Sequence, residues 1–303
     1  MRHTVTAGVD GSPESLAAAA WAAEEAELRG LPLTLVHAGG APAPRTGLPE
    51  VDVPAGRHAR ALEVAVREVH ATRPGLEIVR TAVPDPAGET LPEAARDAVL
   101  LALGSQGFSG FTGYLLGSVA LDVAAHSTVP VVLVRGGRPV AARSDRPVLL
   151  GLDLDSADAE LIRFAFDAAS VRSAPLEVLY AWRPSPRRPH GRADAEPALP
   201  EDPGAGQEEA LAAALRPWRE EFPAVPVSLH LAAGSAAHRL VRASERAVLL
   251  VLGHREGAGQ RLGPVTHAAI HHAPCPLAVV PHGARAAADR PGPPPGQGGP
   301  PDG

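Results

Sequence analysis

The sequence predicts an α/β protein of two tandem doubly wound domains, each built on a five-stranded parallel sheet. Three observations predict this class. The segment Val5–Ala38 aligns without a gap with Val148–Ala181, 143 residues later. Each copy alternates short apolar strands with helices, a pattern typical of a parallel sheet covered on both faces. At 303 residues, 45% of them apolar, the chain is long enough to bury two cores.

The elements of the first copy follow from its apolar runs and punctuating residues. Ser12 is a helix N-cap with Pro13 in the first turn, and Gly30 ends that helix. Further helices are predicted at Arg57–Thr72, Glu89–Asp97 and Ser118–His126. Strands are predicted at Thr4–Val9, Leu33–His37, Glu77–Val83, Val99–Leu103 and Val129–Val134.

The repeat continues to the end of each copy. The segment Ala98–Gly104 matches Ala247–Gly253 at an offset of 149 residues, which falls to 146 further on, so the second copy lacks three residues in between. Other matched pairs are Asp10 with Asp153, Trp21 with Phe164, Gly117 with Gly263 and Pro130 with Pro276.

This alignment predicts the domain boundaries. We expect a first domain at 1–137, a linker at 138–146, a second domain at 147–282 and a disordered Pro- and Gly-rich tail at 283–303. The Pro- and Arg-rich segment Arg183–Gly206 is expected to be a mobile loop.

Composition narrows the class of protein. The net charge is −6 and all 28 basic residues are arginine, with no long basic face, which argues against nucleic acid as a partner. The single cysteine, Cys275, excludes an internal disulfide and indicates a reducing compartment. No apolar run suits a membrane span or a signal peptide, so a cytoplasmic protein is expected.

The segment Gly104–Ser118 contains five glycines and no charged residue, between a predicted strand and a predicted helix. Glycines let backbone N–H groups approach an anion closely, and a helix N-terminus adds free N–H groups and a favourable dipole. This loop is therefore a candidate phosphate site. The other interpretation is a tight structural turn between a strand and a helix.

The loop spacing, Gly104, Gly107, Gly117 and Ser118, resembles the Gly-x2-Gly-x9-Gly-Ser/Thr signature of the universal stress protein family, in its ATP-binding branch. The segments Gly8–Ser12 ("GVDGS") and Ser127–Arg135 ("STVPVVLVR") are similar to that family's first-strand motif and last strand. The resemblance spans both copies and implies two Rossmann-like domains.

The resemblance implies that ATP binds in the first copy, with Mg²⁺ as its possible companion. Gly8 and Asp10 would face the adenosine, and the backbone around Val36–Ala38, with Val36 and Ala38 as the residues singled out, would contact adenine. The residues implied around the ribose and phosphates are Gly104, Ser105, Gln106, Gly107, Phe108, Ser109, Gly110, Gly117, Ser118 and Val119.

Two departures qualify this implied site. Gln106 and Phe108 stand where family loops often carry a basic residue, so phosphate binding would depend on amides, hydroxyls and Mg²⁺. In the second copy Glu256 replaces Gly107, and Pro264, which has no N–H, replaces Ser118. We therefore expect only the first copy to bind ATP.

The second copy also suggests a metal site, because His267 and His271 lie four apart near Cys275 and His282. No carboxylate or second thiol stands at ligand spacing, so no metal is expected. Cys275 is interpreted as a packed small side chain rather than a nucleophile.

The function predicted is that of an ATP-binding regulatory protein of the bacterial stress response and not an enzyme, with slow ATP hydrolysis left open. The alternatives are an enzyme that cleaves adenine nucleotides, by AMP transfer or slow ATPase activity, and a nucleotide-free interaction scaffold. The resemblance implies that the copies pair with each other through their final strands. A homodimer and an unidentified protein partner are further expectations.

Overall fold

The computed structural model describes residues 4–39, 56–105, 118–136, 145–154, 157–182, 205–255 and 262–283. Ten strands and eight helices lie in these ranges. The strands are β1 (Thr4–Gly8), β2 (Leu33–Ala38), β3 (Ile78–Val83), β4 (Ala98–Ser105), β5 (Val131–Arg135), β6 (Val148–Gly151), β7 (Leu176–Trp182), β8 (Val227–Ala233), β9 (Leu249–Arg255) and β10 (Leu277–His282). The helices are α1 (Pro13–Arg29), α2 (Gly56–Thr72), α3 (Ala87–Ala94), α4 (Ser118–His126), α5 (Ala159–Val171), α6 (Ala205–Glu221), α7 (Ala236–Ser244) and α8 (Pro264–His272).

The strands form one continuous sheet in the order β3-β2-β1-β4-β5-β10-β9-β6-β7-β8. Within each copy every pairing is parallel, so each half is a five-stranded parallel sheet. At the centre β5 and β10 pair antiparallel, with Leu133 opposite Leu277 and Val131 opposite Val279. The two copies therefore join through their final strands, as the resemblance implied.

Most predicted elements of the first copy agree with the structure to within two residues. The exception is α3, which was predicted at Glu89–Asp97 and in fact ends at Ala94. Asp97 lies in the turn that follows, where the amide of Ala98 bonds to the carbonyl of Ala95. This tight turn brings the chain directly into β4. The predicted mobile segment Arg183–Gly206 and tail 283–303 lie almost wholly outside the described residues.

Helix α1 shows how local sequence sets the packing of a copy. The Ser12 side chain accepts a hydrogen bond from the Ser15 amide, and Gly30 ends the helix with a φ of 63°, a left-handed conformation that suits glycine. The buried face consists mainly of alanine, at positions 18, 19, 22, 23 and 26. Small side chains let the helix lie close to the sheet, which brings its first turn near the ends of the strands.

The helices cover both faces of the sheet. Helices α1, α2, α5 and α6 share one apolar cluster, and α3, α4, α7 and α8 share the other. Each cluster runs through both copies. Within the described ranges, no helix combines the length and the apolar character needed to cross a bilayer.

A buried ion network joins the copies on the α1/α5 face. Arg29 donates to Glu25 at 2.6 Å and to Asp167 of the second copy at 2.5 Å. Arg172, the counterpart of Arg29 in the repeat, donates to the same Glu25 and lies over the Trp21 ring. Glu25 is 1% exposed and accepts from both arginines, so it is the central acceptor of the contact.

Two side chains join the copies on the opposite face. The ring Nε2 of His254 lies 3.2 Å from the carbonyl oxygen of Ala125, near the end of α4. Arg135 donates to the carbonyl oxygen of Ile270, near the end of α8, at 3.1 Å. Each copy therefore satisfies a backbone carbonyl near the C-terminus of a helix in the other copy.

Candidate functional site

The predicted site of the first copy lies where β1 sits between β2 and β4 and all three strands end at one edge. Gly8 is paired with Val36, and Ala7 with Ala102, so the ends of these strands are neighbours. The direction of connection along the sheet reverses at this point, because the chain runs from β1 to β2 on one side and returns to β4 on the other. Such a switch point is where doubly wound sheets bind ligands.

The structure brings seven of the predicted residues to this edge or into the strands that form it: Gly8, Asp10, Val36, Ala38, Gly104, Ser105 and, as the first residue of α4, Ser118. Val119 follows on α4 and is 39% exposed. The other predicted residues lie outside the described ranges, as does the side chain of Ser118; they are Gln106, Gly107, Phe108, Ser109, Gly110 and Gly117. Their roles stay predictions.

Asp10 organises the turn between β1 and α1. Its Oδ1 accepts the amide of Ser12 at 2.9 Å, and its own amide donates to the hydroxyl of Ser15 at 3.3 Å. Partial burial raises the pKa of the Asp10 carboxyl, but the hydrogen bonds from Ser12 and Ser15 outweigh it and hold the pKa below its usual range. The residue remains exposed, so it places an ionised carboxylate at the edge of the site.

His37 lies at this edge, and the sequence interpretation gave its side chain no role. Its ring Nδ1 lies 2.7 Å from the carbonyl oxygen of Val9, and the side chain is buried. Because a carbonyl oxygen only accepts, Nδ1 carries the proton in this contact. The signal available was a histidine inside a strand next to Val36, a residue already assigned to the site.

Val36 contributes to the edge through its backbone. Its side chain is fully buried, and its carbonyl oxygen accepts the amide of Val9 at 2.8 Å. Ser105 is buried as well, at the end of β4. Ala38 is partly exposed, so it offers a ligand more surface than Val36 does.

Two glycines of the motif have a packing reason for lacking a side chain. A Cβ atom at Gly104 would lie 2.5 Å from the carbonyl carbon of Glu14 and 2.6 Å from the amide nitrogen of Ser15. The first turn of α1 therefore rests on the end of β4. A Cβ at Gly8 would lie 2.7 Å from a methyl carbon of Leu103. These contacts place the Asp10 turn directly over the edge of the sheet.

The same region of the second copy is built differently. Helix α5 begins three residues later in the repeat than α1, and Asp158 is its N-cap. The His282 ring lies directly against Gly253. A Cβ atom at Gly253 would be only 2.7 Å from Nε2 of that ring. His282 aligns with Gly136, a position at which the first copy packs Glu14 instead. A side chain thus covers the strand ends that backbone covers in the first copy.

The helix start that would face a phosphate also differs between the copies. Helix α8 begins with Pro264, which has no N–H to donate, after an N-cap glycine without a side-chain hydrogen bond. The hydroxyl of Thr266 on α8 reaches the carbonyl oxygen of Gly253 at 3.4 Å. Helix α4 has Ser118 at its first position and no acidic residue in its first turn.

Comparison with known proteins places this architecture. The model of the universal stress protein family matches the chain twice, at residues 1–135 and 146–281. The chain belongs to the universal stress protein family. Universal stress protein Rv2623 of Mycobacterium tuberculosis is 34% identical over 297 residues, which cover 91% of this chain and 95% of that protein.

Solved universal stress proteins are among the structures similar to this chain. One from Archaeoglobus fulgidus has a TM-score of 0.66 at 20% identity and covers 93% of this chain and all of its own, which shows the shared fold. A universal stress protein solved in complex with cAMP covers 45% of this chain and 98% of its own, at 27% identity and a TM-score of 0.34. The cAMP is a ligand of that protein.

The histidines of α8 in this universal stress protein form a row near the centre of the molecule. The rings of His267 and His271 are 4.6 Å apart between centroids. Burial lowers the pKa of His271, and the neighbouring His267, His272 and Arg135 lower it further. Among the residues the structure describes, no three His, Cys, Asp or Glu side chains are arranged to hold a metal ion.

Proposed function

We propose that this universal stress protein is a regulatory protein that binds one ATP at the strand edge of its first copy. The observation that carries the proposal is the Asp10 turn at the end of β1, beside the switch point between β1 and β4, with α4 as the helix that follows β4. An exposed carboxylate can accept hydrogen bonds from ribose hydroxyls, and a helix start without acidic residues suits phosphate.

The fit depends on Asp10 and α4 more than on Gly104. The space beside Gly104 is filled by the backbone of α1, so that glycine supports packing rather than a cradle for phosphate. Gly107 and Gly117 would supply the loop, and Mg²⁺ would neutralise part of the phosphate charge where family loops carry a basic residue. A modest affinity is expected.

We propose a binding role rather than a catalytic one. Phosphoryl transfer usually requires a cation on the γ-phosphate and a positioned base. The loop Gly104–Ser118 has no Lys or Arg, and the chain has no Gly-x4-Gly-Lys-Ser/Thr motif. ATP would then act by changing the surface of the first copy, which a protein partner in a stress response could read.

Calorimetry with ATP and Mg²⁺ tests the proposal, and one nucleotide per chain is expected. Asp10→Asn should lower the affinity about tenfold, as expected for a hydrogen bond to a charged group, while the matched Asp153→Asn in the second copy should not. Gly117→Val should abolish binding. Its counterpart Gly263→Val is the control, because a Cβ at Gly263 meets no atom within 4 Å.

Four outcomes would contradict the assignment. Two equivalent sites would show that the second copy also binds ATP, and unchanged affinity in both first-copy variants would place the nucleotide elsewhere. Absence of any ATP binding would favour the scaffold alternative. Multiple-turnover release of phosphate, pyrophosphate or AMP would favour an enzyme. Nucleotide analysis of the purified, acid-quenched protein supplies an independent measurement of the ligand.

A further inference from the structure

The face that carries α3, α4, α7 and α8 has opposite charge on its two halves. In the first copy four exposed acidic residues form what we call the acidic patch: Glu89, Glu93, Asp97 and Asp122. Asp122 on α4 lies against Gly88 on α3, which joins the two helices into one surface. Arg96 pairs with Glu93, and His126 lies 3.2 Å from Asp122.

The second copy presents the opposite sign at the equivalent place. Four exposed residues on and after α7 form what we call the basic patch: His238, Arg239, Arg242 and Arg246. Glu245 is the acidic residue among them. The histidines His267 and His272 on the adjacent α8 are also exposed and add no negative charge.

The charge reverses at three matched positions, whereas Asp122 and Arg239 match the uncharged Ala268 and Thr90. In the alignment of the copies Glu93 matches Arg242 and Asp97 matches Arg246, and the basic Arg96 matches the acidic Glu245. Glu89 matches His238, so a negative charge is absent there in the second copy. The internal two-fold relation of the copies therefore places unlike charges at equivalent points on one face of the molecule.

An apolar strip lies between the two patches. Val119 on α4 is 39% exposed, and its counterpart Val265 on α8 and the neighbouring Leu121 are partly exposed. Exposed apolar residues with charged residues around them are the usual composition of a protein interface. The strip lies near the centre of the face, because α4 and α8 directly precede β5 and β10, the strands through which the copies pair.

We propose that this face binds a second copy of the chain. In the dimer a two-fold axis runs along the strand direction, so the first copy of each chain lies on the second copy of the other. The acidic patch then meets the basic patch twice, and the apolar strips meet at the centre. Like charges would meet if the axis ran along the length of the sheet. The charge reversal therefore selects one of two face-to-face arrangements.

The two kinds of contact have different roles. Exposed ion pairs contribute little affinity each, so the burial of Val119, Leu121 and Val265 would hold the dimer together. The patches would set the orientation and speed the encounter, since like charges across an interface are unfavourable. Association should therefore weaken as salt is raised.

Charge exchange at one matched pair tests the proposal on the full chain. Sedimentation velocity at low salt should show the wild-type protein as a dimer of 31.1 kDa chains. Glu93→Arg and Arg242→Glu should each raise the dissociation constant, on the order of 10- to 100-fold, because each creates two like-charge contacts per dimer. An equimolar mixture of these two variants should dimerise, since the mixed dimer restores both pairs.

The controls use exposed residues on the opposite face. Glu63→Arg on α2 and Arg216→Glu on α6 make the same charge changes and should leave the dimer intact. The double variant Glu93→Arg/Arg242→Glu should dimerise like the wild type. A monomeric wild-type chain at about 100 μM, a dimer unaffected by both reversals, or a mixture that stays monomeric would each overturn the proposal.

Discussion

The two copies cover the same strand ends by different means. In the first copy, glycines at 104 and 136 let the first turn of α1 lie on the ends of β4 and β5. In the second, the His282 ring occupies this position beside Gly253, and α5 begins later. The comparison shows that matched glycines can make room for different groups, helix backbone at Gly104 and a histidine ring at Gly253. In the first copy the turn carries the Asp10 carboxylate, whereas in the second the N-cap carboxylate of Asp158 lies 4.0 Å from the His282 ring.

The copies also contribute unequally to the buried ion network that joins them. Removing its central acceptor should have the largest effect on stability. Glu25 accepts from Arg29 and Arg172, while its counterpart is Ala168. We expect Glu25→Ala to cost about 3–5 kcal/mol in the free energy of unfolding, because it leaves buried arginine charge uncompensated. Urea unfolding measures this loss.

The control for that variant is Asp167→Ala. The Asp167 side chain is 38% exposed, so its pair with Arg29 is screened and should contribute less than about 1 kcal/mol. A loss of similar size in the two variants would show that Glu25 is not the central acceptor.

A smaller difference in stability is expected between alanine substitutions at the matched glycines, Gly104 and Gly253. Gly104→Ala should cost about 1–3 kcal/mol, because the new Cβ would meet backbone atoms of Glu14 and Ser15 that cannot move alone. Gly253→Ala should cost less, since its Cβ would meet the side chains of His282 and Leu161, which can shift. Thermal unfolding of both variants makes the comparison. Equal costs would mean that both copies are equally tolerant here.

The smallest effect concerns Cys275, the counterpart of Val129. Burial raises the pKa of the Cys275 thiol from 9.0 to about 12, so the folded protein should react with DTNB only as fast as it unfolds. Above about pH 9 the unfolded thiol ionises while the folded one keeps its proton, so stability falls as the pH rises toward 12. Cys275→Val should remove that component. Rapid labelling of the native protein at pH 8 would contradict the burial.

Much of the fold was predictable because the residues that begin and end its helices and strands are recognisable in the sequence. Ser12, Pro13 and Gly30 mark α1, and the apolar runs mark the strands. The end of α3 was not predictable, because the turn that ends it, closed by the Ala98 amide on the carbonyl of Ala95, contains no glycine or proline to mark it. The candidate site was predictable as a set of neighbouring strand ends, through Gly8, Asp10 and Gly104, and its role in binding stays a prediction.

Other features of the site needed the structure. Nothing in the local sequence indicates that Val36 turns inward or that His37 bonds to the carbonyl of Val9. Likewise, the spacing of Gly104 in the motif indicates only that another group, either protein backbone or a ligand, lies close to it. Contacts between residues far apart in the chain decide which one it is.

The sequence by itself determined the repeat, the alternation of strands and helices, the family and the loss of loop residues in the second copy. These are properties of composition and order along the chain, which local propensity and spacing express directly. The tertiary structure decided that Glu25 serves two arginines, that α1 fills the space at Gly104, and that opposite charges share one face. Each of these depends on distances between residues far apart in sequence. The Glu25–Arg172 contact and the shared face also require that the two copies pair through β5 and β10.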